Sequence, residues 1–154
     1  MTLTPPMLIE ALADTPVLKG ITEPALQLLA DEGIIREYVP NDLIVVEGEF
    51  GRSLFILIEG DVEVVKHYST ARAVTLAQLH SRNFFGEMCV VDPIPRGATV
   101  RAISNVTAIE IKATTLYRVF QQMPGQYTIV LLNLARDMAR RLSILDEAFA
   151  ARSS

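Results

Sequence analysis

Apolar and polar residues along this chain change their spacing twice. Residues up to 32 follow a helical spacing, residues 34–112 alternate every second position, and the chain after Lys112 is helical again. In the first segment Pro5 and Pro6 open a helix through Ala13, and Thr22 caps a second one over 23–32. Gly33 then stands where a left-handed residue commonly ends a helix.

The alternating segment predicts strands over 34–39, 43–47, 53–58, 62–66, 74–80, 99–103 and 106–111. Turn residues separate them: Pro40-Asn41-Asp42, Gly48 and Gly51, Gly60-Asp61, Arg82-Asn83 and Ser104-Asn105. Many short strands with regular turns predict an antiparallel β-roll or jelly roll. The fold class is therefore mainly β with flanking helices. One domain over 1–154 holds N-terminal helices at 5–32, the roll at 34–112 and a C-terminal helical pair at 114–150. A single helical turn, 87–91, interrupts the roll.

After Lys112 a short helix covers 115–122, and Pro124 opens a longer one reaching about Ala150. Ala135, Met138, Leu142, Leu145 and Phe149 recur at three- and four-residue spacing along it. Two readings of this seam stay open: it packs on its own roll, or it forms a two-stranded coiled coil with a second copy.

Composition narrows the classes. Half of the 154 residues are hydrophobic, enough for a real core. A net charge of −4 with scattered basic residues gives no nucleic-acid footprint. No apolar run approaches the roughly 20 residues that span a bilayer, and 1–13 lack the basic start of a signal peptide. The single cysteine, Cys89, forms no internal disulfide and suits a reducing cytoplasm. Two histidines, His67 and His80, lack metal-ligand spacing, so no metal site is expected. The same lack argues against a metal-dependent enzyme on a similar roll, and no catalytic residues are assigned.

The chemistry concentrates in Phe85-Gly86-Glu87, followed nine residues after the glutamate by Arg96-Gly97-Ala98-Thr99-Val100. A carboxylate and a guanidinium thus bracket a short loop containing Pro93 and Pro95. Arg grips phosphate oxygens with a charge-assisted fork, which Lys meets only as a point charge. Gly86 lets backbone approach a ligand, and the amides of Met88, Cys89, Gly97 and Ala98 with the Thr99 hydroxyl can complete a cradle. The carboxylate asks for a hydroxyl donor on the same ligand. Taken singly, Glu87 is also explained as a helix-end charge and Arg96 as a turn residue or a partner for Asp92.

At this point the chain resembles the cyclic nucleotide-binding domain family, the module of the catabolite activator protein and of the protein kinase A regulatory subunit. The resemblance rests on residues 44–60 (IVVEGEFGRSLFILIEG), on 85–102, which is similar to the family's phosphate-binding cassette, and on Met138-Ala139-Arg140-Arg141-Leu142. It implies a double-stranded β-helix in which Glu87 accepts from a ribose 2′-OH and Arg96 pairs with a cyclic phosphate. Phe85, Gly86, Met88, Cys89, Gly97, Ala98 and Thr99 belong to the same cassette.

Gly97, where a hydroxyl residue favours guanine, implies cAMP rather than cGMP. Leu145 and Asp146 are implied nearest the base, from either subunit. The resemblance further implies a signalling module, not an enzyme, that moves its C-terminal helices. Its implied partners are a second copy, met through the C-terminal helix, and an effector protein. Cys89 and Gly97 depart from the family's usual residues, and Arg82 stands where a turn glycine is common, leaving Asn83 to take the special backbone angles. No helix-turn-helix segment follows, so DNA binding in that manner is not expected. The alternative is a module of the same family that has lost nucleotide and serves protein contacts or another small effector.

Overall fold

Strand β3 (Ser53–Glu59) carries the architecture, because every residue from Ser53 to Ile58 is buried. A strand buried on both faces needs a continuous apolar run, which Leu54-Phe55-Ile56-Leu57-Ile58 supplies. One face looks into a roll and the other carries a layer of helices. The computed structural model describes residues 2–153.

The remaining strands are β1 (Ile34–Tyr38), β2 (Leu43–Val45), β4 (Val62–Lys66), β5 (Val74–Leu79), β6 (Phe84–Phe85), β7 (Thr99–Ala102) and β8 (Val106–Lys112). They form two four-stranded sheets, ordered β1-β8-β3-β6 and β2-β7-β4-β5, and every recorded pairing is antiparallel. The expected β-roll is therefore present. Between the sheets lie Val45, Phe55, Leu57, Val62, Phe85, Val100, Ala102, Val106 and Ala108. Strand β5 is the exception, with Val74 and Leu76 more than half exposed, since it pairs with β4 alone at an edge.

Helices α1 (Pro5–Ala13), α2 (Glu23–Glu32), α4 (Ala113–Gln122) and α5 (Pro124–Ser153) flank the roll, and α3 (Met88–Val91) is the turn within it. Leu54, Ile56, Ile109 and Ile111 on the outer face of β3 and β8 meet Leu12, Leu29, Leu116, Val119, Val130 and Leu134 from these helices. Fully burying each such side chain contributes about 1.5–3 kcal/mol, so the helical layer is part of the fold.

Three sequence expectations are corrected. Gly33 ends α2 with φ of −65°, an ordinary angle. Its lack of a side chain serves packing instead, for a Cβ there would lie 2.3 Å from Cδ1 of Ile109. Asn83 does not take the left-handed angles of its turn; Arg82 does, with φ of 73°, while Asn83 Oδ1 accepts from the amide of His80 at 2.8 Å. The two-residue strand β6 and a 3₁₀ turn at Pro16–Leu18 fell in stretches read as connections.

Most of the seam on α5 does not pack on its own roll: Leu142, Leu145 and Phe149 are 61%, 65% and 74% exposed, Met138 is half-buried, and the buried residues of the helix are Val130 and Leu134.

Candidate functional site

Glu87 is buried, although it sits beside a loop, at the N-cap position of α3. Its side chain makes no capping bond there. Its Oε1 accepts from Nη1 of Arg141 on α5 at 2.7 Å. The same guanidinium lies 5.6 Å over the ring of Phe84, and its Nε is 2.8 Å from Oδ2 of Asp137, one helical turn back. A buried carboxylate without a cation nearby is expensive; here one arm from α5 supplies the cation.

Arg96 returns to the same place from the far end of the loop. Its Nη1 donates to the Gly86 carbonyl at 3.0 Å and its Nη2 to the Ser53 carbonyl at 2.9 Å. The Cys89 thiol also contacts this guanidinium, yet burial outweighs that charge and pushes the thiol pKa up. Cys89 is consequently a small packing group and not a thiolate. Arg96 makes no ion pair with Asp92 among the described residues; backbone carbonyls hold it instead. A guanidinium carries five N–H donors, so this fork keeps capacity for an anion.

Backbone bonds tie the loop to the β2–β3 turn, from the Gly48 amide to the Arg96 carbonyl at 2.9 Å and from the Arg96 amide to the Glu49 carbonyl at 2.8 Å. Beyond Arg96, Lys66 donates to the Gly97 carbonyl at 2.7 Å, and the buried Thr99 hydroxyl accepts from the Glu47 amide at 3.1 Å. The His67 amide, and then Lys66, hold the Glu47 carboxyl below its ordinary range. This brace fixes the outgoing limb of the loop onto the second sheet. A cavity of about 200 Å³ opens at the β2–β3 turn, with Phe50, Gly51, Ser53, Phe55 and Arg96 in its wall. An acidic hollow of about 520 Å³ near Glu37, Asp42 and Glu59 shares no residue with the loop.

The site residues read from sequence are thus placed as follows. Gly86, Glu87, Cys89, Arg96, Gly97 and Thr99 gather around the loop. Gly86 has φ of 81°, which glycine adopts without strain. Phe85 lies in the core of the roll, its ring stacked on Phe55 at 5.1 Å, so it anchors the turn and does not line an open site. Met88 is exposed and Ala98 half-buried. Leu145 and Asp146 stand on the exposed end of α5, and α5 reaches the loop one turn earlier, through Arg141. Arg141 and Ser53 are the participants that sequence reasoning missed. The usable signal was phase: Arg141 follows the buried Leu134 by seven positions and so shares its side of the helix.

With this geometry in hand, the comparisons with known proteins fall into place. The sequence profile of the family described as cyclic nucleotide-binding domain matches residues 35–123. The chain belongs to that family. It is 33% identical over 120 residues to the cAMP-dependent protein kinase regulatory subunit of Candida albicans, covering 78% of this chain and 24% of that protein. It is 28% identical over 130 residues to the cAMP-activated global transcriptional regulator CRP of Salmonella typhimurium, covering 84% and 60%.

Among solved structures, a cyclic nucleotide-binding domain from Methylobacillus flagellatus superposes with a TM-score of 0.81 at 19% identity, over 96% of this chain and 83% of that one. The catabolite activator protein of Thermus thermophilus gives 0.77 at 24%, over 90% and 63%. The chain thus spans about a quarter of the kinase subunit and 60% of the bacterial regulator. The relatives named here are regulatory and binding proteins. Among the described residues no helix is long and apolar enough to cross a membrane, and no cluster of side chains could hold a metal.

Proposed function

We propose that this chain is a sensor module that binds a cyclic nucleotide, cAMP in preference to cGMP, on the loop between Gly86 and Thr99. The observation that carries this reading is a buried Glu87 carboxylate directly after Gly86, the residue whose carbonyl the Arg96 guanidinium holds at 3.0 Å. Glu87 accepts from the ribose 2′-OH, and Arg96 grips the phosphate with its remaining donors. The amides of Met88, Cys89, Gly97 and Ala98 and the Thr99 hydroxyl complete the cradle. An open monophosphate brings an additional charge for which the loop holds no second guanidinium, so AMP binds more weakly. Gly97 offers no hydroxyl to a guanine amino group, which supports the preference for cAMP.

The signal is movement of α4 and α5. Glu87 already touches α5 through Arg141, so a ligand that claims Glu87 shifts that contact. The exposed seam of Leu142, Leu145 and Phe149 supports a homodimer through α5, with Leu145 and Asp146 of either copy nearest the base. An effector protein then reads the moved helices, in the reducing cytoplasm that the lone cysteine suits.

Titration calorimetry with cAMP, cGMP and AMP tests this reading. The expected order of affinity is cAMP, then cGMP, then AMP. Arg96→Ala is expected to weaken cAMP by about 2–5 kcal/mol, as for truncation of one buried charge partner. Wild-type affinity in that variant removes Arg96 from the site, and no heat with any of the three ligands sinks the reading.

A further inference from the structure

The β2–β3 turn holds two glycines, and they exist for different reasons. Gly48 has φ of 88°, and a Cβ there would meet nothing within 4 Å; its backbone angle is what demands glycine. Gly51 is absent from the residues with left-handed angles, so its backbone makes no such demand. A Cβ on Gly51 would instead lie 2.2 Å from Nε, 2.3 Å from Nη2 and 2.4 Å from Cζ of Arg96. Those separations are far inside any non-bonded contact distance, and all three atoms belong to one guanidinium.

We infer that Gly51 is a positioning residue for Arg96: its missing side chain opens a slot through which the guanidinium is laid across the Ser53 and Gly86 carbonyls. Gly86 closes the far side of the slot, since a Cβ there would approach Nη1 to 2.7 Å. Nothing larger than hydrogen fits at position 51 while Arg96 keeps both carbonyls. An added methyl group forces the guanidinium sideways, breaks at least one of the two bonds and turns the free edge of the fork away from the loop. That the free edge meets a cyclic phosphate rests on the function proposed above; the slot itself does not.

The test is a cycle of Gly51→Ala in the wild-type and Arg96→Ala backgrounds, read by thermal unfolding and by cAMP titration. In the wild-type background Gly51→Ala is expected to lower the melting temperature by several degrees and to weaken cAMP by about tenfold or more, the equivalent of one lost charged contact. With Arg96 cut to Ala the slot is empty, so adding Gly51→Ala is expected to leave both readouts where Arg96→Ala alone put them. Gly48→Ala, whose penalty is backbone strain, is expected to cost the same in both backgrounds.

An equal loss from Gly51→Ala in both backgrounds, or no loss in either, overturns the assignment. If Gly51→Ala alone fails to fold, the double variant is expected to fold, and its failure to do so is also decisive against the slot. Should wild-type protein bind no cAMP while the melting-temperature cycle still shows relief, the slot stands and only the function proposed above falls.

Discussion

The two halves of α5 have the same helical backbone and opposite circumstances. Along 124–134 Val130 and Leu134 are buried against the outer face of the roll, and Asn133 donates to the carbonyls of Val17 and Lys19 at 3.1 and 2.9 Å. From Leu142 to the end every described residue is exposed. Between them stands Arg141, joined to Glu87. The first half is held by packing, which is short-ranged and costly to undo. The second is joined to the candidate site through Arg141, by its ion pair with Glu87 and its stacking over Phe84. A helix divided this way can answer a local event at the loop without disturbing the core beneath it.

The largest expected contrast is in stability. Leu134→Ala should cost about 2–5 kcal/mol in a denaturant titration, because it leaves a cavity under the helix. Leu145→Ala should stay within about 0.5 kcal/mol in a monomer. Comparable losses at the two positions would erase the distinction between the halves.

Assembly is the next lever. Phe149→Asp places a charge in the exposed seam and is expected to abolish the dimer mass in analytical ultracentrifugation. A wild-type chain that sediments as a monomer at every concentration tested would leave the distal half without its proposed partner. Arg141→Ala is expected to cost about 1–3 kcal/mol, since its own side chain is 47% exposed but the Glu87 carboxylate it leaves behind is only 8% exposed. Its clearer signature is faster amide hydrogen exchange in residues after 141, with exchange at Val130 and Leu134 unchanged. Faster exchange throughout α5 would show that the ion pair supports both halves.

A carboxylate inside the sheets gives the baseline for these effects. Burial of Glu110 opposes its charge, but the Ser53 hydroxyl at 2.5 Å and Arg36 at 2.9 Å together hold its pKa below the ordinary 4.5. A depressed carboxylate stabilises the fold above its unfolded pKa, and that stabilisation is lost as pH falls through the folded value. Glu110→Gln should therefore flatten the loss of stability below pH 4.5 in acid titrations. An unchanged acid profile would mean that this pair contributes nothing.

Much of this was legible in the chain. Alternation marked seven of the eight strands, and the proline starts of α1 and α5 placed those helices within a few residues at their ends. The two-residue β6 escaped because Phe84-Phe85 is too short to show a period, and its pairing with Phe55 and Ile56 is purely tertiary. Gly86, Glu87 and Arg96 stood out because they share one local loop. Arg141 did not, because it lies 54 positions from Glu87 and its meaning depends on which side of α5 faces the roll. Ser53 contributes a carbonyl, and Gly51 the absence of an atom; neither leaves a side-chain signature to read.

The length of α5 also has a mechanical consequence. From Leu134 to Ser153 the helix extends about 28 Å at its standard rise, pivoting near a firmly seated base. A tilt of about 10° at that base sweeps the tip through roughly 5 Å, the height of a full helical turn. A small tilt at the seated base thereby becomes a displacement of atomic-group size at the tip, an amplification that comes from leverage alone.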